Sequence, residues 1–390
     1  MSQEKSIQDI HFQRFGSRGR AFQAPGRVNL IGEHTDTSEG FVMPAALDFH
    51  TVAVISPANS SKQEDAAVIH SENFQESVTL DLKHLPEHSR GHWSDYPTGV
   101  LWSLQQRGIT CKGFAMTLRG NVPQGAGLSS SASVEVAVAI AVLAHAGVDL
   151  PKPEIALLCQ KAENGFVGAQ CGIMDQFVSC CGTRDHALLL DCRTLQYDLL
   201  PLPESVRLVV CNTMVRHSNA DGDYNSRRAD VEQGVKILQR HLPQARTLRD
   251  TTEAEMLPYA KEMPESVLRR CRHVLSENRR VMEAAEALRQ HDFVRFGTLM
   301  HKAHISMRED YQASCKEADI LVELAMQQPG CYGARITGAG FGGCTVNLVE
   351  ADRVPVFMET VSAAYRAATG IQAEMYLGRA SNGAGEVTSL

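Results

Sequence analysis

Apolar residues in the first half of the chain fall in short runs separated by turn-forming residues. AFQAPGRVNLIG, FVMPAALDFHTVAVISP, AAVIH, ESVTLDL and GFAMTLRGNV have strand-like length and composition and predict strands or strand ends. The pattern then changes. SSSASVEVAVAIAVLAHAG predicts a helix whose opening serines can cap it and which Gly147 closes, and PKPEIALLCQKAENGFVG predicts a second helix begun by Pro151 and Pro153. ALLLDCRTLQYDLLPL and VRLVVCNT return to strand. Beyond them the chain is helix-rich, through DYNSRRADVEQGVKILQRHL, SVLRRCRHVLSENRRVMEAAEALRQ and KEADILVELAMQQ, and it ends on strand-like ARITG, GCTVNLVE and IQAEMYLG. The class is therefore α+β, with a sheet backed by helices in each of two domains. A chain of 390 residues exceeds the size of a single hydrophobic core, and the change of pattern puts the division at residues 1–196 and 197–390.

Composition narrows the partners. With 43% hydrophobic and 21% charged residues the chain has ample apolar surface to bury, which excludes a disordered protein. The net charge of -7 and the lack of any basic run argue against nucleic acid. The first residues lack the basic-then-apolar pattern of a secretory signal, and the longest apolar run, Val134 to Ala144, contains Glu135 and is too short to span a bilayer. No membrane role and a cytoplasmic location are expected. Eleven cysteines, odd in number and scattered, with Cys180 beside Cys181 and no CxxC, fit reduced thiols better than disulfides or zinc. His84, His88 and His92 have helical spacing, but Pro86 and Gly91 interrupt the segment, which favours exposed loop histidines over a metal site.

Four segments carry candidate chemistry. In GNVPQGAGLSSSAS, Gly120 to Ser133, a Gly-rich turn opens a Ser-led helix; glycines let backbone approach a phosphate, and the helix amides and dipole face the anion. It is not a P-loop, because GxxxxGK[ST] is absent, and such a turn alone is also common punctuation. APGRVNLIGEHTD gathers Arg27, Glu33, His34 and Asp36, groups that suit a hydroxyl-rich ligand or simply a polar loop after an edge strand. In ENGFVGAQCGIMDQFVS, Asp175 is either an N-cap or a buried acid/base. ARITGAGFGGCTV lies between two strand-like runs, so it is no dinucleotide fingerprint; a close-packed turn beside a ligand or another backbone fits it better.

In this order and spacing the four segments resemble the galactokinases of the GHMP kinase family, over nearly the whole chain. GRVNLIGEHTD is similar to that family's sugar signature, PQGAGLSSSAS to its ATP loop, GIMDQ to its catalytic-Asp segment and RITGAGFGGC to its third motif. The resemblance implies a two-domain GHMP kinase fold, with an N-terminal mixed-sheet domain, a C-terminal α/β sandwich domain and the active site between them. It implies transfer of the γ-phosphoryl group of ATP to the C1 hydroxyl of galactose, the first committed step of galactose catabolism, in a monomer that uses Mg²⁺. Asp175 would remove or orient the C1 proton, Arg27 would stabilise charge, and Ser131 and Glu163 would hold the metal. Glu33, His34, Asp36, Gly172 and Tyr224 would bind the sugar. Gly125, Gly127, Leu128, Ser129, Ser130 and Ser131 would bind ATP, with Trp93 either beside adenine or in the core. Where the family usually reads YNGG after EHTD, this chain has Thr37, Ser38, Glu39 and Gly40. That departure leaves room for a related acceptor such as N-acetylgalactosamine or arabinose; a galactose and ATP sensor without turnover is the alternative of another class.

Overall fold

The computed structural model describes residues 5–58, 64–123, 125–216 and 220–387; Gln124, within the phosphate-loop segment, lies outside them. A short helix, α1 (Ile7–Phe15), leads into two long strands, β1 (Arg20–Ile31) and β2 (Phe41–Pro57), then β3 (Ala66–Ser71) and β4 (Glu76–Asp81). Helix α2 (Asp95–Gln106) precedes β5 (Phe114–Gly120). Three helices follow, α3 (Ser130–Ala146), α4 (Lys152–Ala162) and α5 (Met174–Cys181), and then the hairpin β6 (His186–Asp191) and β7 (Tyr197–Pro201). The rest of the chain runs β8 (Val206–Arg216), α6 (Ala220–Leu238), α7 (Glu253–Met256), α8 (Glu265–Arg289), α9 (Phe293–Ser306), α10 (Lys316–Met326), β9 (Cys331–Thr337), β10 (Gly342–Glu350), α11 (Val354–Thr369), β11 (Glu374–Gly378) and β12 (Gly385–Val387).

These strands form two sheets. The first has the order β12-β1-β2-β5-β3-β4, with the β6-β7 hairpin on the near end of β2; it is mixed, because β3 and β5 run parallel. The second is antiparallel, in the order β11-β8-β10-β9. The last strand, β12, returns to the first sheet beside β1. A two-sheet α+β fold results, and the strand periodicity predicted from the sequence explains how its layers are packed. On β8, Leu208 and Val210 face one core with Cys344, Val346 and Leu348 of β10, while Val209 and Cys211 face another with α10 and α11. The former core also takes in Val28 and Leu30 of β1 and the apolar faces of α8 and α9, so apolar packing is continuous from one sheet to the other.

Helix α3 is apolar on nearly every side because it lies on β1 and β2 and is covered by α2, α4 and α5. Its opening corrects the expectation of a serine cap. Ser129 occupies the N-cap position with φ +56°, and its side chain makes no capping bond. Gly147 closes the helix in the left-handed conformation, as the sequence predicts. Pro97 and Gly99 lie within α2 and mask its helical signal, so the pattern missed it. Helix α11 buries Val354, Phe357, Val361 and Tyr365, which recur at helical spacing. The loop histidines pair locally, His84 with Asp81 at 3.1 Å and His92 with Glu76 at 3.1 Å. Among the described residues no three His, Cys, Asp or Glu side chains form a metal cluster.

Candidate active site

The site begins with an irregularity in β1. The register to β2 shifts between Pro25 and Arg27, and a bulge of this kind re-aims the side chain that follows it. Gly26 lets the phosphate loop close on the strand: a Cβ there would lie 2.6 Å from the Leu128 carbonyl, and the Arg27 amide donates to that same oxygen at 3.0 Å. Arg27, buried at 5% exposure, then extends its guanidinium to Asp175. Nε donates to Oδ1 and Nη2 to Oδ2, both at 2.8 Å, while Nη1 donates to the Gly127 carbonyl at 2.5 Å. This two-pronged geometry is the strong form of a carboxylate pair.

Asp175 lies in the first turn of α5, whose N-cap position is Ile173, so the capping alternative is set aside. Its Oδ2 also accepts the hydroxyl of Ser129. That contact explains the strained backbone at the start of α3. Ser129 leaves the helix amides uncapped and turns its hydroxyl to Asp175 instead, and non-glycine residues with positive φ gather at functional sites.

Beside this pair opens a cleft of 510 Å³, lined among others by Glu33, His34, Asp36, Gly172, Tyr224 and Asp175. All of the sequence-predicted sugar residues therefore meet there. Glu33 is fixed through Oε1, which accepts from the Gly338 amide at 2.9 Å and the Thr337 hydroxyl at 3.1 Å and lies 3.2 Å from the guanidinium of fully buried Arg335. His34 has φ +61°, and its ring stacks on Tyr311 with centroids 4.2 Å apart. Burial, with the charges of His273 and Arg335 behind it, presses the His34 ring down to about 3, so it is neutral, and its Nε2 has no partner among the described residues. Asp36 accepts the Thr37 amide at 2.9 Å, and burial together with the Asp175 charge pushes its carboxyl up to about 6. Gly172 is required by packing, because a Cβ would lie 1.9 Å from Asp36 Oδ2.

A second cleft of 760 Å³ joins the first at Tyr96 and Val167. Ser130, Ser131 and Trp93 line it. Trp93 is half-buried at its wall, where it also packs against the core of the first sheet; it stacks on Phe74 with centroids 5.9 Å apart, and its Nε1 donates to Glu76 at 2.9 Å. Gly127, Leu128 and Ser129 are instead held against Arg27 and Asp175, and Gly125 precedes them in the same turn with φ +67°. Where the clefts meet, Glu163 lines the first and Ser131 the second, and burial with the Asp175 charge raises the proton affinity of Glu163. Glu163 starts a π-helical turn, Glu163–Val167, and a second one, Met307–Tyr311, ends on Tyr311; such turns recur at functional sites.

Sequence reasoning missed Tyr311, His273 and Arg335. The last stands in RITG, inside a segment already singled out, and its only signal was a charge within an apolar strand. The close-packed turn expected of that segment is present, with a Cβ on Gly338 lying 3.2 Å from the Gly127 carbonyl and one on Gly340 lying 2.2 Å from the Ala313 carbonyl.

Comparison with known proteins agrees with this geometry. The galactokinase galactose-binding signature matches residues 9–57, the GHMP kinases N terminal domain residues 95–183, and the GHMP kinases C terminal domain residues 284–367. A galactokinase of Roseiflexus sp. is 45% identical over 366 residues, which cover 94% of this chain and 92% of that protein. One of Chloroflexus aggregans is 44% identical, covering 90% and 89%. The crystal structure of Lactococcus lactis galactokinase complexed with galactose superimposes with a TM-score of 0.93 at 32% identity, covering 98% of this chain and 99% of that one. A mevalonate kinase, at 18% identity and a TM-score of 0.66 over 93% of this chain and 99% of its own, shares the fold alone. The chain belongs to the galactokinases of the GHMP kinase family.

Proposed function

We propose that this chain transfers the γ-phosphoryl group of ATP to the C1 hydroxyl of α-D-galactose, giving galactose 1-phosphate and ADP as the opening step of galactose catabolism. The observation that carries the reading is the Arg27–Asp175 pair, held by two hydrogen bonds of 2.8 Å at the edge of a hydroxyl-binding cleft that joins a second, larger one. Phosphoryl transfer needs in-line positioning and charge neutralisation more than covalent help from protein, and these residues are suited to both.

In this reading Asp175 accepts the hydrogen bond of the C1 hydroxyl and orients its oxygen, while Arg27 faces the charge that builds between that oxygen and the phosphoryl group. Asp36 accepts from the 3- and 4-hydroxyls and Glu33 Oε2 from the 6-hydroxyl, and the unpartnered His34 Nε2 and the Tyr224 hydroxyl complete the ring. An epimer that leaves one of these buried groups unpaired is rejected by the cost of that unpaired group, about 1–3 kcal/mol. Ser130, Ser131 and the first amides of α3 cradle the phosphates, and Trp93, stacked on Phe74, flanks the base on one side.

The residues present fit Mg²⁺: the Ser131 hydroxyl and the Glu163 carboxylate are hard oxygen donors where the two clefts meet, and burial beside Asp175 raises the Glu163 carboxyl in a way a cation would relieve. When bound there, Mg²⁺ would neutralise the β- and γ-phosphates. Two protein donors suffice, because this ion keeps water and phosphate oxygens as its other ligands. The reading assigns sugar signature and ATP loop to residues 1–196 and the third motif to residues 197–390, in a cytoplasmic monomer. No helix of the described residues is long and apolar enough to cross a membrane.

The test is ADP release with MgATP and a panel of galactose, glucose, N-acetylgalactosamine and arabinose. Release with galactose and not glucose supports the reading. Preference for another sugar replaces the acceptor, and galactose binding without turnover would make the protein a sensor.

A further inference from the structure

The Thr37–Gly40 turn follows immediately on Asp36, yet none of Thr37, Ser38 and Glu39 lines the 510 Å³ cleft. Asp36 opens a single 3-10 turn, Asp36–Ser38, closed by Glu39 at φ +57° and ψ +28°. A non-glycine residue in that conformation costs about 1 kcal/mol, so something must hold it. Two arginines from other parts of the fold do so. Arg193, in the β6-β7 turn, donates from Nε to Glu39 Oε2 at 2.7 Å and from Nη1 to Asp250 Oδ1 at 2.6 Å. Arg249 donates from Nη1 to the Glu39 carbonyl at 2.9 Å, binds Asp191 at 2.9 Å, and lies 3.8 Å over the Phe41 ring. Asp250 is fixed in turn by the amides of Arg246 and Thr247 at 2.9 and 3.0 Å.

The carboxylate of Glu39 therefore points away from the cleft, into an ion-pair network that secures the turn from behind. Two of its acids, Asp191 and Asp250, are held below their usual range despite the opposing pull of partial burial. Arginine contacts help to do this, and Asp250 falls to about 2. We propose that Arg193 and Arg249 are positioning residues for the acceptor sugar: by clamping Glu39 they fix the turn that sets Asp36 against Gly172, so this turn braces the galactose pocket from behind. This inference rests on the galactokinase reading and deepens it.

The experiment compares the full-length protein with Arg193→Met, Arg249→Met, Glu39→Gln and Glu39→Gly, measuring kcat and KM for galactose and for MgATP, with thermal melting alongside. The clamp predicts a galactose KM raised about tenfold, the scale of one lost charge-assisted contact, with kcat and the MgATP KM within about twofold of wild type. Arg193→Lys recovers part of the loss. The double variant Glu39→Gln/Arg193→Met is no worse than Arg193→Met alone, because that change already removes the contact with Glu39. Glu39→Gly separates bracing from backbone relaxation: it removes the strain together with the Arg193 arm of the clamp and keeps the main-chain carbonyl that Arg249 binds, so a raised galactose KM supports the proposal and an unchanged or lowered one overturns it. A uniform fall in kcat for every variant, or a galactose KM untouched by Arg193→Met, also overturns it. Wild-type protein that does not phosphorylate galactose defeats the underlying reading instead, and the two failures are thereby told apart.

Discussion

Arg27 and Asp175 stand 148 residues apart in sequence and meet through two hydrogen bonds of 2.8 Å, with the Ser129 hydroxyl on the same carboxylate. Every oxygen of Asp175 is thus aligned before any substrate arrives. Asp175→Asn keeps the size of the side chain but replaces one acceptor with an amide that faces the guanidinium. We expect kcat to fall by about 10³-fold or more, within the range of a lost acid/base or charge-orienting group, while galactose still binds by calorimetry. Near-normal turnover would remove Asp175 from the mechanism.

Asp36 makes galactose binding sensitive to pH. Burial and the Asp175 charge push its carboxyl from 3.8 up to about 6, so below that pH it carries a proton and loses acceptor capacity for sugar hydroxyls. Galactose affinity, titrated without nucleotide, should weaken as pH falls through about 6, and Asp36→Asn should flatten that dependence. The same shift has a cost for the fold. The folded state holds this proton more tightly than the unfolded chain does, so the contribution to stability declines as pH rises from 3.8 to about 6. Asp36→Asn should therefore stabilise the protein at pH 8, by about 1–3 kcal/mol, while weakening galactose binding. A melting temperature lowered by the substitution would contradict this.

Gly172 tests whether Asp36 must sit where it does. With a Cβ at 1.9 Å from Asp36 Oδ2, Gly172→Ala forces the carboxylate to move. Overpacking of this kind costs about 1–3 kcal/mol, and the expected result is a galactose KM raised by about tenfold with the MgATP KM unchanged. An unaltered galactose KM would show that Asp36 is free to shift without consequence.

Ser129 trades stability for placement. At φ +56° it is strained, and Ser129→Gly should relieve about 1 kcal/mol and raise the melting temperature. The same change deletes the hydroxyl on Asp175, and kcat should drop about tenfold, as for one lost hydrogen bond to a charged group. A lower melting temperature would mean that the hydroxyl contact outweighs the backbone strain.

Much of the fold was legible in the sequence because strand and helix periods are local. The long strands β1 and β2 and the α3 helix with its Gly147 stop follow from spacing alone, while α2 hid behind Pro97 and Gly99. The site was legible in a different way. Asp175 read equally well as a cap or an acid/base until the geometry put it on Arg27. The resemblance supplied the members of the sugar cleft, and the structure brings them to one wall. What stayed hidden depends on pairs distant in sequence. Arg335 is placed by Glu33, the ring of Tyr311 by His34, and the need for glycine at 172 by Asp36. Glu39 looked like a change to the pocket because it neighbours Asp36 in sequence; its partner Arg193 lies 154 residues further on.

Identifying the product by ³¹P NMR with proton coupling, after incubation with MgATP and galactose, decides the site of transfer. The expected spectrum shows a phosphate coupled to the anomeric proton in the α configuration, formed together with one equivalent of ADP. Phosphate on any other hydroxyl, or ADP released with no sugar phosphate, would contradict it.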